Sequence, residues 1–232
     1  MNGTLPDMLP GDIRLQGRLT LSLALISAVA VIYLPLARYP FIQDDWALIH
    51  TFMFSSAGET VRSALSPAGA LFYRPAGILY CAANYILFGL HPAGFHLLAV
   101  GLLALSAFLV VAIAARLTGD ALTSWGSGFV YAAAATIHFE PQMWMVGIFD
   151  IGSTLCALFC LLAFMKNRNA ASAAWFALAL GFKEASALLP LVLVAAALLV
   201  FRHGVQRPVA VLAGRLRIHG AVLAAFIAWS MR

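Results

Sequence analysis

The sequence has few charged residues and few cysteines. Only 10% of its 232 residues are Asp, Glu, Lys or Arg, whereas a soluble domain typically carries about 25%. A chain with so few charges cannot cover its own surface in water, and its composition also excludes a disordered chain and a coiled coil. The three cysteines, Cys81, Cys156 and Cys160, form no metal or disulfide pattern, which excludes a disulfide scaffold.

Apolar residues dominate instead, at 63% of the chain. Seven apolar segments can be marked as membrane crossings: 19–37, 92–115, 121–137, 151–165, 170–182, 186–201 and 218–231. We therefore predict an all-α, polytopic membrane helix bundle of about seven spans, folded as a single transmembrane domain over residues 1–232. Residues 1–18 are expected to be a cytoplasmic N-terminus, and residues 92–232 to be the main helical bundle.

Residues 38–91 are less apolar and contain several prolines, which indicates an extracytoplasmic loop with interfacial helices. Within it, residues 75–91 are apolar enough to be an eighth crossing, so the distribution of Lys and Arg has to decide. If 75–91 lies at the interface, nine basic residues are cytoplasmic: Arg14, Arg18, Arg116, Lys166, Arg168, Arg202, Arg207, Arg215 and Arg217. Four are then outside: Arg38, Arg62, Arg74 and Lys183.

If residues 75–91 cross the membrane, the count reverses. Arg14, Arg18 and Lys183 are then the cytoplasmic ones, and the other ten are outside; Arg232, at the end of the sequence, is left out of both counts. Because Lys and Arg prefer the cytoplasmic side, the interfacial arrangement is favoured. It gathers chemically capable side chains on the outer face: Asp44, Asp45, Glu59, Glu140, Asp150, Glu184, His50, His91, His96 and His138.

Each of these groups has a structural and a functional interpretation. Asp44 and Asp45 can start a helix, where the dipole favours acids, or one of them can be a general base, since adjacent carboxylates point in different directions. Arg74 can anchor the interface or bind a phosphate. His96 can be a polar group near the headgroups or a phosphate contact.

The later candidates are equally ambiguous when each is taken alone. Asp150 can cap the fourth span or be a functional charge at the membrane edge. His138 and Glu140 end the third predicted span. Lys183 and Glu184 can form a neutralised turn, or the lysine can meet a phosphate while the acid fixes its position.

The order of these motifs resembles a known pattern. The chain has a first span, then Asp-Asp at 44–45, Tyr-Arg-Pro at 73–75, Phe-His at 95–96, His-Phe-Glu at 138–140, Asp150, and Lys-Glu at 183–184 ahead of Pro190. Over about residues 20–200 it resembles the multi-span glycosyltransferases of the GT-C class, and most closely the protein O-mannosyltransferase group. Phe182 stands where the serine before Lys-Glu is usual, and Gly-Ile-Phe at 147–149 stands where a more polar run often precedes the acid.

The resemblance implies transfer of a sugar from a polyprenyl-phosphate carrier to an acceptor on the periplasmic or lumenal side. Direct displacement at the anomeric carbon by an activated acceptor predicts inversion, and the alanine-rich composition suits a cell inner membrane. The resemblance also implies that Asp44 is the base, with Asp45 as an adjacent candidate, and that Asp150 shapes the catalytic pocket. It places Arg74, His96 and Lys183 near the carrier phosphate, with His138, Glu140 and Glu184 in the polar surroundings. Members of the family are usually longer, so the chain is expected to be a fragment or a short member.

Two other functions stay open at this stage. A transporter or flippase for a lipid-linked sugar would also need outer-face cations, and it predicts charges near mid-bilayer and inverted repeats. A non-catalytic, truncated membrane subunit is the second alternative. The expected partners are the lipid bilayer, the lipid-linked donor and an acceptor that is a protein, lipid or glycan, with no nucleic acid. No firm metal site is predicted, and a divalent cation stays open as a cofactor.

Overall fold

The computed structural model describes residues 11–68, 72–200 and 208–231, and every regular element among them is helical. Two predictions lie partly outside the described residues: the cytoplasmic N-terminus, at residues 1–10, and the span 186–201, at residue 201. The basic residues Arg202 and Arg207 also lie outside them. The helices are α1 (Gly11–Tyr33), α2 (Asp44–Phe54), α3 (Ala57–Leu65), α4 (Pro75–Phe88), α5 (Pro92–Thr118), α6 (Ala121–Ala133), α7 (Ala135–Met143), α8 (Ile148–Met165), α9 (Asn169–Phe182), α10 (Leu189–Val200) and α11 (Pro208–Ser230). Short 3₁₀ turns follow α1 at Leu34–Arg38 and precede α10 at Glu184–Leu188.

Three helical stretches are long and apolar enough to cross a membrane: Gln16–Arg38, Pro92–Thr118 and Ile148–Met165. The all-α membrane bundle is therefore supported, but seven crossings are not confirmed. Three more apolar helical stretches have 10–17 residues: Pro75–Phe88, Asn169–Phe182 and Glu184–Leu198. Helix α9, for example, has 14 residues, which reach about 21 Å against a hydrocarbon core of about 30 Å.

The helices share two ends. Helices α5 and α8 begin at the same end of the bundle. This is shown by Phe95 and Ala99, near the start of α5, which share a cluster with Ile148 and Ile151, near the start of α8. Tyr33 at the end of α1 donates a hydrogen bond to the Ala132 carbonyl near the end of α6. Both residues share a cluster with Val100 and Leu103, so α1 and α6 end near the first half of α5. The end of α9 reaches the same level, since its Phe182 packs in that cluster.

The opposite end carries basic residues. Arg116 lies in the last turn of α5, and Lys166 and Arg168 lie in the connection between α8 and α9. Arg215 of α11 donates to the Phe164 carbonyl and to Oδ1 of Asn169 at the same connection. The chain thus places basic side chains at one end of the bundle and most of its acids at the other.

The third predicted span, 121–137, is not one helix. The backbone breaks at Ala134, between α6 and α7. Side-chain donors reach the carbonyls near the break. Tyr33 donates to Ala132 O at 2.9 Å, and His138 Nε2 donates at 2.9 Å to Tyr131 O, which also accepts from Ala134 N at 3.2 Å. Such donors remove the cost of leaving buried carbonyls unpaired, which is why an apolar, alanine-rich segment can break here.

Three short helices, α2, α3 and α4, form most of the segment 38–91. Ser56 and Glu59 form a capping box that starts α3, with the Ser56 Oγ accepting from Glu59 N and the Glu59 carboxylate accepting from Ser56 N. Helix α4, the doubtful segment of the sequence, has 14 residues and packs through Gly77 and Cys81 into the core at the acidic end. At about 21 Å it is too short to cross the core of a bilayer unaided.

A very close turn joins α7 to α8. A Cβ atom built on Gly147 would lie 2.0 Å from the carbonyl oxygen of Pro141 and 2.6 Å from its Cα atom. These are backbone atoms, so a neighbouring side chain cannot relieve the clash by changing its rotamer. Gly147 therefore fixes how closely α7 returns onto the start of α8.

We expect Gly147→Ala to lower the thermal unfolding midpoint of the purified chain in detergent, because the added methyl group must push the Pro141 backbone away. Gly101→Ala is the matched control, since a Cβ atom there meets nothing within 4 Å. In a helix interior this change stabilises by roughly 0.5–1 kcal/mol. Equal midpoints for the two variants would contradict the proposed role of Gly147.

Candidate functional site

A cavity of about 1110 Å³ opens at the acidic end of the bundle. Its walls come from the start of α2, the residues before α4, the α7–α8 turn and the end of α9. Five of the nine predicted site residues line it: Asp44, Arg74, Glu140, Asp150 and Lys183. Segments separated by more than a hundred residues in the chain thus contribute charges of both signs to one space.

The two adjacent aspartates have different environments. Asp44 is exposed and lines the cavity. Asp45 is completely buried. Its Oδ2 accepts from Ile42 N at 3.1 Å, and its Oδ1 accepts from Val146 N at 3.0 Å. Asp45 therefore ties the first loop to the α7–α8 turn, and Asp44 is the member of the pair that can meet a ligand.

The turn before α2 is strained and firmly held. Gln43, the residue before Asp44, has a φ of +40°, a conformation that costs a non-glycine residue free energy. Asp45 N donates back to Ile42 O at 2.9 Å, and Trp46 Nε1 donates to Phe41 O at 3.0 Å. These bonds, together with the Asp45 side chain, hold the turn that presents Asp44 to the cavity.

Two ion pairs join the cavity walls. Arg74 makes a bidentate contact with Glu184, at 2.9 Å to Oε2 and 2.6 Å to Oε1. Lys183 donates to Oδ1 of Asp150. The backbone of Lys183 is extended, with φ −155° and ψ 132°, so neighbouring side chains point in opposite directions. Lys183 and Glu184 consequently reach two different partners.

Arg74 is fixed on several sides. Its guanidinium carbon lies 4.5 Å from the ring centre of Phe72 and 5.2 Å from that of Phe149. The hydrogen bonds from Arg74 lower the pKa of Glu184, and burial opposes them only in part. Glu184 itself does not line the cavity, so its effect there is to hold Arg74 in place.

The two histidines predicted to contact the substrate are occupied by the protein backbone. His96 is buried, and its Nδ1 lies 2.9 Å from the carbonyl oxygen of Gln142, to which it donates. Gln142 Nε2 in turn donates to Ala99 O at 3.2 Å. His138 donates to Tyr131 O, and burial lowers the pKa of its imidazole. Neither histidine lines the cavity; their contacts join α5, α6 and α7.

Several cavity residues were not predicted from the sequence. Phe72 and Phe149 flank Arg74, and Ala47, Leu48 and Thr51 follow Asp44 along α2. The positions of the latter three follow from helical spacing, because residues three, four and seven places after Asp44 share its face. The two phenylalanines carry no comparable signal, since apolar residues are common throughout this chain.

No family model, curated protein or solved structure matches this chain. Its chemistry has to be judged from the cavity itself. Within the described ranges, no three or more His, Cys, Asp or Glu residues are grouped so that they could hold a metal ion. The cavity instead combines an exposed carboxylate, Asp44, with two cations, Arg74 and Lys183, among its lining residues. Such a set of groups can bind an anion and accept a proton from a second molecule.

We expect Asp45→Asn to destabilise the folded chain by about 1–3 kcal/mol. The amide oxygen of asparagine can accept one of the two backbone hydrogen bonds, but its NH₂ group is a donor and cannot accept the other. Asp44→Asn, at an exposed carboxylate, is the matched control and should leave the unfolding midpoint nearly unchanged. Thermal unfolding in detergent measures both. A midpoint lowered more by Asp44→Asn than by Asp45→Asn would contradict this assignment.

The Arg74–Glu184 pair should make stability depend on acid pH. Because its folded-state pKa is lowered, Glu184 contributes stability above its unfolded pKa of about 4.3. This contribution is lost as the pH falls through the lowered folded value. We expect the unfolding midpoint of the wild type, relative to Glu184→Gln, to be higher at pH 6 and to converge with it toward pH 3. A constant difference over this range would argue against the pair.

Proposed function

We propose that the chain is a membrane glycosyltransferase that moves a sugar from a polyprenyl-phosphate carrier to an acceptor. The observation that carries the proposal is the convergence of Asp44, Arg74, Glu140, Asp150 and Lys183 on one cavity. Its volume of about 1110 Å³ is at the upper end of the range for ligand sites, about 300–1000 Å³. A sugar phosphate and part of an acceptor would fit together in such a space.

In this proposal Asp44 acts as the general base. It is the exposed member of the aspartate pair, and the buried Asp45 fixes the turn that carries it. Asp44 would take a proton from the acceptor nucleophile, which attacks the anomeric carbon while the bond to the carrier phosphate breaks. A single displacement of this kind inverts the anomeric configuration.

The two cations that line the cavity would stabilise the departing phosphate. Lys183 lines the cavity, and its ammonium group forms an ion pair with Asp150. Arg74 also lines the cavity, where its guanidinium group lies against the rings of Phe72 and Phe149. Positive groups aimed at a developing negative charge in a partly water-excluded site lower the barrier to its formation. Glu140, exposed at the cavity edge, is placed to contact the polar acceptor or the sugar hydroxyls.

The proposed orientation puts this cavity outside the cytoplasm of a cell with an inner membrane. The basic residues Arg116, Lys166, Arg168 and Arg215 lie at the other end of the bundle, and Lys and Arg favour the cytoplasmic side. With the N-terminus also cytoplasmic, about seven helices would cross or partly cross the bilayer. The short helices α9 and α10 would then need local thinning of the membrane or neighbours that cover their ends.

The decisive variant is Asp44→Asn. We expect it to reduce transfer by about 10²–10⁴-fold, the usual contribution of a general base, while the amount of folded protein stays the same. Glu59→Gln, which changes an exposed carboxylate in the same loop outside the cavity, should keep full activity. The assay uses vesicles with the reconstituted chain and measures release of radiolabelled mannose or glucose from polyprenyl phosphate into water-soluble or protein fractions.

The same vesicles separate the competing functions. Movement of the labelled lipid across the bilayer without its consumption would favour a flippase. Absence of both consumption and movement would favour a non-catalytic subunit. Wild-type activity in Asp44→Asn would remove Asp44 from the role of base, and a product with retained anomeric configuration would exclude the single displacement.

A further inference from the structure

We propose that Asp150 is an internal counter-ion of Lys183 and that the phosphate group of the ligand displaces it on binding. The inference rests on the proposed function, because it concerns the same cavity. Lys183 donates to Oδ1 of Asp150, and both side chains line the cavity. In this arrangement the carboxylate accepts from the ammonium group and offsets the positive charge that an anionic ligand would otherwise meet.

The two cations of the cavity differ in how easily they can exchange partners. Arg74 is bound at both carboxylate oxygens of Glu184 and lies against two aromatic rings, with its side chain only 17% exposed. Lys183 contacts one oxygen of Asp150, whose side chain is 48% exposed. A bidentate, stacked guanidinium is hard to re-pair, whereas a flexible ammonium with three donors can change partners readily.

Asp150 also has room to leave Lys183. Its side chain stands in the first turn of α8, between the large cavity and a second space of about 350 Å³. This second space is a groove along α8 and α10 whose walls include Ala157, Leu158, Leu161, Leu189 and Val192. Lys183 lines both spaces, so it can meet a free phosphate from the cavity or the phosphate of a lipid whose chain follows the groove.

The exchange predicts an unusual sign for one variant. A carboxylate that competes with phosphate for the same ammonium group lowers the affinity for phosphate, both by occupying the cation and by repelling the anion. Removing its charge should therefore strengthen binding. A carboxylate that contacts the ligand directly, or that holds Lys183 in a productive position, would have the opposite effect when neutralised.

The experiment titrates the purified full-length chain in detergent with inorganic phosphate and, separately, with geranyl phosphate, and measures binding by calorimetry. We expect Asp150→Asn to bind both ligands about two- to fivefold more tightly, which corresponds to the coupling of a partly exposed ion pair. Lys183→Met should bind about 10–100-fold more weakly, as expected for loss of a charged hydrogen bond. Asp120→Asn changes an exposed acid at the opposite end of the bundle and should match the wild type.

The double variant Asp150→Asn/Lys183→Met isolates the exchange. Without Lys183 there is no shared cation, so removing Asp150 should add little to the affinity of Lys183→Met. Equal tightening in the presence and absence of Lys183 would reveal only general charge repulsion and would overturn the inference. Unchanged or weaker binding by Asp150→Asn, or no binding of either ligand by the wild type, would also overturn it. Asp150→Ser serves as a second variant if Asp150→Asn does not fold.

Two further arms identify the source of the phosphate and separate this inference from the proposed function. If geranyl phosphate binds more tightly than inorganic phosphate, and Thr154→Trp abolishes this difference by filling the groove, the ligand is a lipid phosphate. If the two ligands bind with equal affinity, the ligand is a free phosphate. Either result supports the exchange. If Asp150→Asn binds phosphate more tightly but the wild type transfers no sugar, the counter-ion inference stands and the glycosyltransferase proposal is wrong. If the wild type transfers sugar but Asp150→Asn binds phosphate no more tightly, the glycosyltransferase proposal stands and the counter-ion inference is wrong.

Discussion

The cavity depends on the buried carboxyl group of Asp45. This one side chain accepts a hydrogen bond from its own turn, at Ile42 N, and another from the α7–α8 turn, at Val146 N. Backbone N–H groups that lose such a partner inside a protein carry a substantial desolvation cost, so the two segments are held together. The strained turn at Gln43, the exposed position of Asp44 and the close approach of Gly147 to Pro141 all occur around this contact.

The second constraint is the extended backbone at the end of α9. Because Lys183 has β-like dihedral angles, Lys183 and Glu184 point to opposite sides and pair with Asp150 and Arg74. A helical continuation would place both side chains about 100° apart on one surface and could not bring α4 and α8 to the same point. A local change of backbone conformation thus assembles a wall from three separate helices.

Much of this arrangement could be predicted from the sequence, since apolar runs indicate helices and the basic residues indicate which helix ends lie together. The order of the motifs led to the expectation that Asp44, Arg74, Asp150 and Lys183 meet, and all four line one cavity. Adjacent aspartates, however, have almost the same local sequence. Asp45 is the buried one of the pair, and one of its two backbone partners, Val146 N, lies a hundred residues away. The break at Ala134 likewise depends on Tyr33, a distant residue.

His96 and His138 also have contacts that the local sequence does not predict. Both stand beside motifs that converge on the cavity, but each donates to a backbone carbonyl near a helix end, Gln142 O for His96 and Tyr131 O for His138. Such carbonyls exist only after α6, α7 and α8 have packed, and no local pattern reveals them. In a chain with so few polar residues, a buried carbonyl has few donors to choose from, so a histidine near a helix end is drawn into structural pairing. The charges that line the cavity lie instead at helix ends and on the segments between helices: Asp44 is the first residue of α2, and Lys183 follows α9.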